Sequence, residues 1–146
     1  MPQVSFYHTS KTPLERVLCK LLAKAYNANS KALVVAPDKE FATELNKILW
    51  TFSRREFIPH GIDGEDDPAI CPIFISDSNE NKNKAEIIIH VNNIKQETSK
   101  FSRVIYIFDH DDAAKAAQNM YQELKNTAPK TQYHKQNLKG DWESLA

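Results

Sequence analysis

Glycine is scarce: Gly61, Gly64 and Gly140 are the only three in 146 residues, and none lies between a strand-like run and the helix-like run after it. A phosphate cradle needs glycine there so that backbone N–H groups can approach the ligand, which excludes a dinucleotide fingerprint and a P-loop. Cys19 and Cys71 stand alone, without ligand or redox spacing, and suit a reducing compartment. No apolar run nears the ~20 residues of a membrane span and no basic leader precedes the first strand-like run, so a cytoplasmic protein is expected. Net charge is also missing, with 19 Lys and Arg against 19 Asp and Glu. The balance is uneven along the chain: nine basic residues face four acidic ones over 1–55, and five face ten over 56–110. No long basic stripe results, and little direct nucleic-acid binding is expected. His8, His60, His90 and His134 are scattered without zinc spacing, and no Ser or Cys sits in a nucleophile elbow. Neither a metal nor a cofactor is implied.

What is present reads as one α/β domain over 1–146. Val4–His8 alternates like a strand, and Thr12-Pro13-Leu14-Glu15 forms a capping box with proline first in the helix, which predicts a helix from Pro13 with the stripe Leu14, Val17, Leu18, Leu21, Leu22 and Ala25. Ala32–Ala36 is continuously apolar, the mark of a strand buried on both faces. Asp38 then caps a helix whose stripe is Phe41, Leu45, Ile48, Leu49 and Phe52. An acidic stretch, Asp63, Glu65, Asp66 and Asp67, reads as a solvated loop. Strands follow at Ile73–Ile75, Glu86–Val91 and Arg103–Phe108, rich in β-branched and aromatic residues. Asp109 to Asp112 caps a last helix with the stripe Ala113, Ala117, Met120 and Leu124, and Thr131–Lys135 is expected as an edge strand. Alternating strands and helices predict a three-layer open sheet, largely parallel, with helices on both faces.

Two stretches carry candidate chemistry. Asp109, His110, Asp111 and Asp112 follow a strand's carboxyl end, where carboxylates and an imidazole could serve a small metal-dependent hydrolase or phosphotransfer domain; the alternative is that they only complement a helix start. The second is Trp50, which at about 100° per residue falls opposite its helix's apolar stripe. With Phe57 close behind, it reads either as an exposed interface anchor or as a satellite cluster under a folded-back loop.

Val4-Ser-Phe-Tyr-His8, Leu49-Trp50, Phe57-Ile58-Pro59-His60 and Gly64-Glu65 together resemble the chi subunit of the bacterial DNA polymerase III holoenzyme. So do Ile107-Phe108-Asp109-x-x-Asp112 before an Ala-rich helix, Tyr133-x-x-Gln136 and Gly140-x-Trp142-Glu143, with an alphaproteobacterial flavour at the C-terminal end. The order of these pieces covers nearly the whole chain. The resemblance implies a fold of Rossmann-like or P-loop-like topology without a nucleotide site. It also implies a non-catalytic accessory subunit of the clamp-loader complex that grips the acidic, aromatic-ended C-terminal tail of the single-stranded-DNA-binding protein. Trp50, Phe57 and Ile58 then match a surface for the small psi subunit or another clamp-loader subunit.

On the last helix, Ala114, Gln118, Tyr121 and Lys125 form a line beside the core stripe. Such a line can offer an apolar shelf and a cation to a peptide's terminal carboxylate, or Tyr121 can simply close the core edge. The resemblance puts the tail-binding tyrosine at Tyr121. It also expects Arg and Lys where this chain has Gln118 and Gln122, so either Lys115, Lys125 or Lys130 takes the carboxylate or tail binding is weaker in this chain.

Overall fold

The computed structural model describes residues 3–52, 58–95, 101–126, 131–137 and 139–144. Eight strands, β1 (Gln3–His8), β2 (Ala32–Val35), β3 (His60–Ile62), β4 (Ile73–Ser76), β5 (Ile87–Val91), β6 (Arg103–Phe108), β7 (Gln132–Gln136) and β8 (Trp142–Ser144), join in one sheet of order β3-β4-β2-β5-β6-β1-β7-β8. Every pairing is parallel except β7 with β8. Among the described residues three α-helices, α1 (Leu14–Asn27), α2 (Lys39–Thr51) and α3 (Asp111–Leu124), complete the expected three layers. Strand side chains alternate between the two faces. Val34, Ile75, Ile89 and Ile107 lie on the face that carries α1 and α2, whereas Leu33, Phe74, Ile88 and Phe108 lie on the face that carries α3.

Burial on both faces is why β2 reads as an unbroken apolar run and why β5 is apolar at every position but His90. The outermost strands escaped the sequence. β3 is only three residues, and β8 is exposed throughout, so neither carries an apolar pattern. The stretch expected as an edge strand lies inside the sheet, as β7 between β1 and β8.

Helix ends follow local chemistry with two corrections. Asp38 caps α2 as expected, its Oδ1 accepting from Phe41 N–H at 2.8 Å. α1 stops without glycine: Asn29 takes a φ of 60°, and the N–H groups of Ser30 and Asn29 bond back to Ala25 and Tyr26 O at 2.9 and 3.0 Å, a Schellman arrangement. The capping box at Thr12 does not form. Pro13 is the N-cap of α1, without a side-chain cap, because the Thr12 hydroxyl instead accepts from Gln136 Nε2 at 2.8 Å. Likewise no side chain caps α3, whose N-cap is His110; Asp109 is engaged with Asn92, accepting from its Nδ2 at 3.0 Å and donating its own N–H at 2.9 Å.

The acidic loop is less solvated than expected. Asp63 accepts from the Ser76 hydroxyl at 2.7 Å and from Lys82 Nζ at 3.1 Å, and Asp66 accepts from Ile62 N–H at 2.9 Å. These bonds hold the Asp63 carboxyl below its ordinary pKa, the Ser76 hydroxyl contributing most. Gly61 is needed here because a Cβ would run into Cys71 Sγ and Asp66.

The bond that closes the sheet comes from Gln136, which is 2% exposed. Its Oε1 accepts from three successive backbone N–H groups, Ser10, Lys11 and Thr12, at 3.1, 2.8 and 2.9 Å, while its Nε2 donates to Thr12 Oγ1 and Gly140 O. Leaving such groups unpaired costs about 1–3 kcal/mol each when they stay dry, less where water reaches them. Gln136→Ala is therefore expected to lower unfolding stability by about 2–4 kcal/mol, read as a fall in the urea midpoint. A loss below about 0.5 kcal/mol, the range of an ordinary surface substitution, would show that the bonds are dispensable.

Candidate partner-binding surfaces

The cleft at the carboxyl ends of β1 and β6 is where open α/β sheets most often bind ligands, because the chain leaves β1 toward α1 on one face and β6 toward α3 on the other. It is lined by His8, Thr9, Ser10, Lys11, Asp109 and Asp111. The donors a phosphate would use in this cleft, the N–H groups of residues 10 to 12, are already committed to Gln136. The Asp109–Asp112 stretch does not gather into a metal cage. Asp109 is held by Asn92, His110 Nε2 lies 3.7 Å from Asp109 Oδ1, and Asp111 and Asp112 lie exposed in the first turn of α3. Among the described residues no three His, Cys, Asp or Glu side chains converge on a metal position. Both thiols are buried, and burial pushes Cys19 up to about 12 and raises Cys71 as well, so neither is a ready nucleophile.

Trp50 lies in the last turn of α2 and is 58% exposed. Its indole meets the His60 ring edge-on, with centroids 5.1 Å apart. His60 in turn spans two carbonyls, Nδ1 at 2.7 Å from Ile58 O and Nε2 at 3.3 Å from Asn46 O, so the end of α2 and the edge strand β3 hold the indole from one side. Ile58 departs from the expected surface. It is 2% exposed and belongs to the core under α1 and α2, with Leu45, Leu49 and Ile62, because the chain has already turned inward to enter β3. Phe57 lies outside the described residues.

On the other face, Tyr121 is also turned inward, 5% exposed. Its ring stands edge-on to Phe6 at 6.2 Å and tilted against Tyr133 at 5.5 Å, inside a cluster that includes Tyr106 and Phe108. The buried stripe of α3 is Ala113, Ala114, Ala117 and Tyr121, with Met120 and Leu124 only partly buried. The helix is thus rotated toward Tyr121 relative to the stripe read from the sequence, since an aromatic ring buries more apolar area than Met or Leu at the margin. Gln118, Gln122, Lys115 and Lys125 are exposed around it. Tyr133 entered the sequence reading only as part of the resemblance, with no site role. It is fully buried beneath this edge, and its hydroxyl lacks a well-aligned hydrogen bond; burial raises its pKa, and the nearby Gln118 amide pulls the other way.

Comparison with known proteins matches residues 1–132 to the family described as DNA polymerase III chi subunit, HolC. The chain belongs to the DNA polymerase III chi subunit family. A probable DNA polymerase III subunit chi of Rickettsia prowazekii (strain Madrid E) is 31% identical over 154 aligned positions, covering 100% of this chain and 93% of the relative. The DNA polymerase III subunit chi of Haemophilus influenzae is 30% identical, covering 77% of this chain and 80% of its own length. The Escherichia coli subunit is 21% identical over 70% of this chain and 71% of its own. Membership places the chain with a DNA polymerase III assembly, as an accessory subunit in DNA replication. No helix among the described residues is long and apolar enough to cross a membrane.

Two measurements follow from these placements. Trp50→Ala is expected to change stability by less than about 0.5 kcal/mol, as at most exposed positions, whereas Ile58→Ala should cost about 2–5 kcal/mol. Equal losses in chemical denaturation would mean that Trp50 is core. The second concerns pH. Burial lowers the pKa of His134, and burial together with Lys135 lowers that of His8 against the pull of Asp111 and Asp109. A lowered folded value means the native state binds fewer protons than the unfolded chain, so this stability is present above the ordinary histidine value of ~6.5 and is lost as pH falls through it. The melting temperature should drop between about pH 7 and 5, and the drop should shrink in a His8→Gln/His134→Gln double variant. An unchanged profile would assign the effect to other groups.

Proposed function

We propose that this chi-family chain is a non-catalytic adaptor of the clamp-loader complex that links the replicase to the single-stranded-DNA-binding protein by gripping its C-terminal tail. The observation that carries the reading is the fixed, exposed Trp50 on one side of the sheet, an aromatic anchor of the kind that dominates interface energetics. Its partner would be a psi-like or other clamp-loader subunit, with Phe57 extending the surface and Ile58 supporting it from below. The tail would lie along α3 on the opposite face, with Lys115 and Lys125 supplying charge and Gln118 and Gln122 supplying amide bonds beside the edge of Tyr121. Tying polymerase to coated single strands in this way raises its local concentration through linkage.

Trp50→Ala should abolish copurification of clamp-loader subunits while leaving the melting temperature in place. Retention of the complex by a folded variant would remove this surface. Titration calorimetry with the tail peptide should give saturable binding that disappears when the terminal phenylalanine is deleted, and Lys125→Ala should weaken it about fivefold, the effect of losing roughly 1 kcal/mol of partly solvated charge. No binding at high peptide concentration would remove the tail-binding half of the proposal.

A further inference from the structure

Three rings that neither surface uses meet on the sheet face that carries α1. Tyr7 of β1 stacks on His134 of β7, centroids 4.9 Å apart and 26° between planes, and Trp142 of β8 stands edge-on to Tyr7 at 5.9 Å and 85°. Register produces the cluster. Tyr7 pairs with His134, and Gln136 pairs with Trp142, so all three rings leave the sheet on the same side. α1 packs on β2 and β6, and beyond it Trp142 remains 41% exposed.

Two cations stand at the Tyr7 end of this cluster. Arg103 and Lys24 line a groove of about 160 Å³ together with Tyr7 and Leu21. Arg103 lies close enough to act on the Tyr7 hydroxyl, and its buried Nε has no hydrogen-bond partner among the described residues. Neither cation is in a salt bridge among those residues. The one carboxylate on β8, Glu143, points to the other face, where it accepts from Asn137 Nδ2 at 3.1 Å. Burial keeps the His134 ring neutral at neutral pH, which suits it to stacking.

Aromatic rings beside cations without carboxylate partners complement a polyanion whose subunits have flat π faces. We infer that the α1-side face of β1, β7 and β8 is a platform for single-stranded nucleic acid, with bases stacking against Trp142 and His134 and phosphates further along the strand held by Arg103 and Lys24 beyond Tyr7. A balanced net charge conceals such a face because it averages over the whole surface. The inference is independent of the adaptor reading, since it uses neither Trp50 nor α3.

The test is fluorescence anisotropy of a labelled oligothymidylate of about 15 nucleotides, titrated with the full chain at low salt. Expected is a saturable rise that weakens with salt with a log–log slope of about −1.4, the value for two phosphates on a single strand. Trp142→Ala and Lys24→Gln should each weaken binding at least about fivefold, and Lys47→Gln, a cation on another element, should not. Because Lys24 is an exposed helix residue, its variant keeps the test open even if the Trp142 variant fails to fold. The inference is overturned by the absence of a rise, by a rise that Lys24→Gln and Trp142→Ala leave intact, or by an acidic, aromatic-ended peptide binding this face where the oligothymidylate does not.

Discussion

The architecture turns on one side-chain amide. Gln136 reaches from the end of β7 to the loop between β1 and α1 and gathers three consecutive N–H groups that would otherwise face a cleft. Three donors converging on one oxygen are the arrangement by which related folds hold phosphate. Here the oxygen belongs to the chain itself. The same contact replaces the cap that Thr12 would have given α1 and fixes where β7 ends, and so where β8 turns back to lay Trp142 beside Tyr7. A cleft built for a ligand is thereby turned into a joint, and the surfaces left for function lie on the periphery of the sheet.

Those surfaces differ in how they are held. Trp50 is supported from one side by a histidine seated between two backbone carbonyls, so a large apolar ring is kept outward. Tyr121, by contrast, is locked into the aromatic core, and only the polar residues around it face solvent. A partner on α3 would meet amides and lysines over a closed apolar floor, which favours charge and hydrogen bonding over deep insertion. The Tyr7–His134–Trp142 face lies between these extremes, packed at one end under α1 and open at the other.

Much of the fold was legible because its information is local. The unbroken apolar run of β2 reads as a strand buried on two sides, β5 and β6 are marked by their β-branched and aromatic residues, and the stripes of α1 and α2 and the Asp38 cap appear where the sequence puts them. Trp50 was legible as outward-facing for the same reason, since helical periodicity alone sets its angle. The α3 stripe was misplaced by a fraction of a turn, because Tyr121, Met120 and Leu124 are all apolar enough to compete for the interior. The choice among them was made by Phe6 and Tyr133 on distant strands.

Ile58 shows the limit most plainly: beside Trp50 in sequence it looked like part of the same surface, yet entry into β3 turns it into the core. β3 and β8 are too short and too exposed to carry a hydrophobic signature, and β7 became internal only because β8 folded against it. Periodicity, the Asp38 cap and the absence of a glycine-rich phosphate loop were determined by the sequence itself, since each depends on residues within a turn or two of one another. Tertiary structure alone decided the Gln136 joint, whose partners lie up to 126 residues away, and the gathering of Tyr7, His134 and Trp142 on one face, because strand register is set by the folding of the whole sheet.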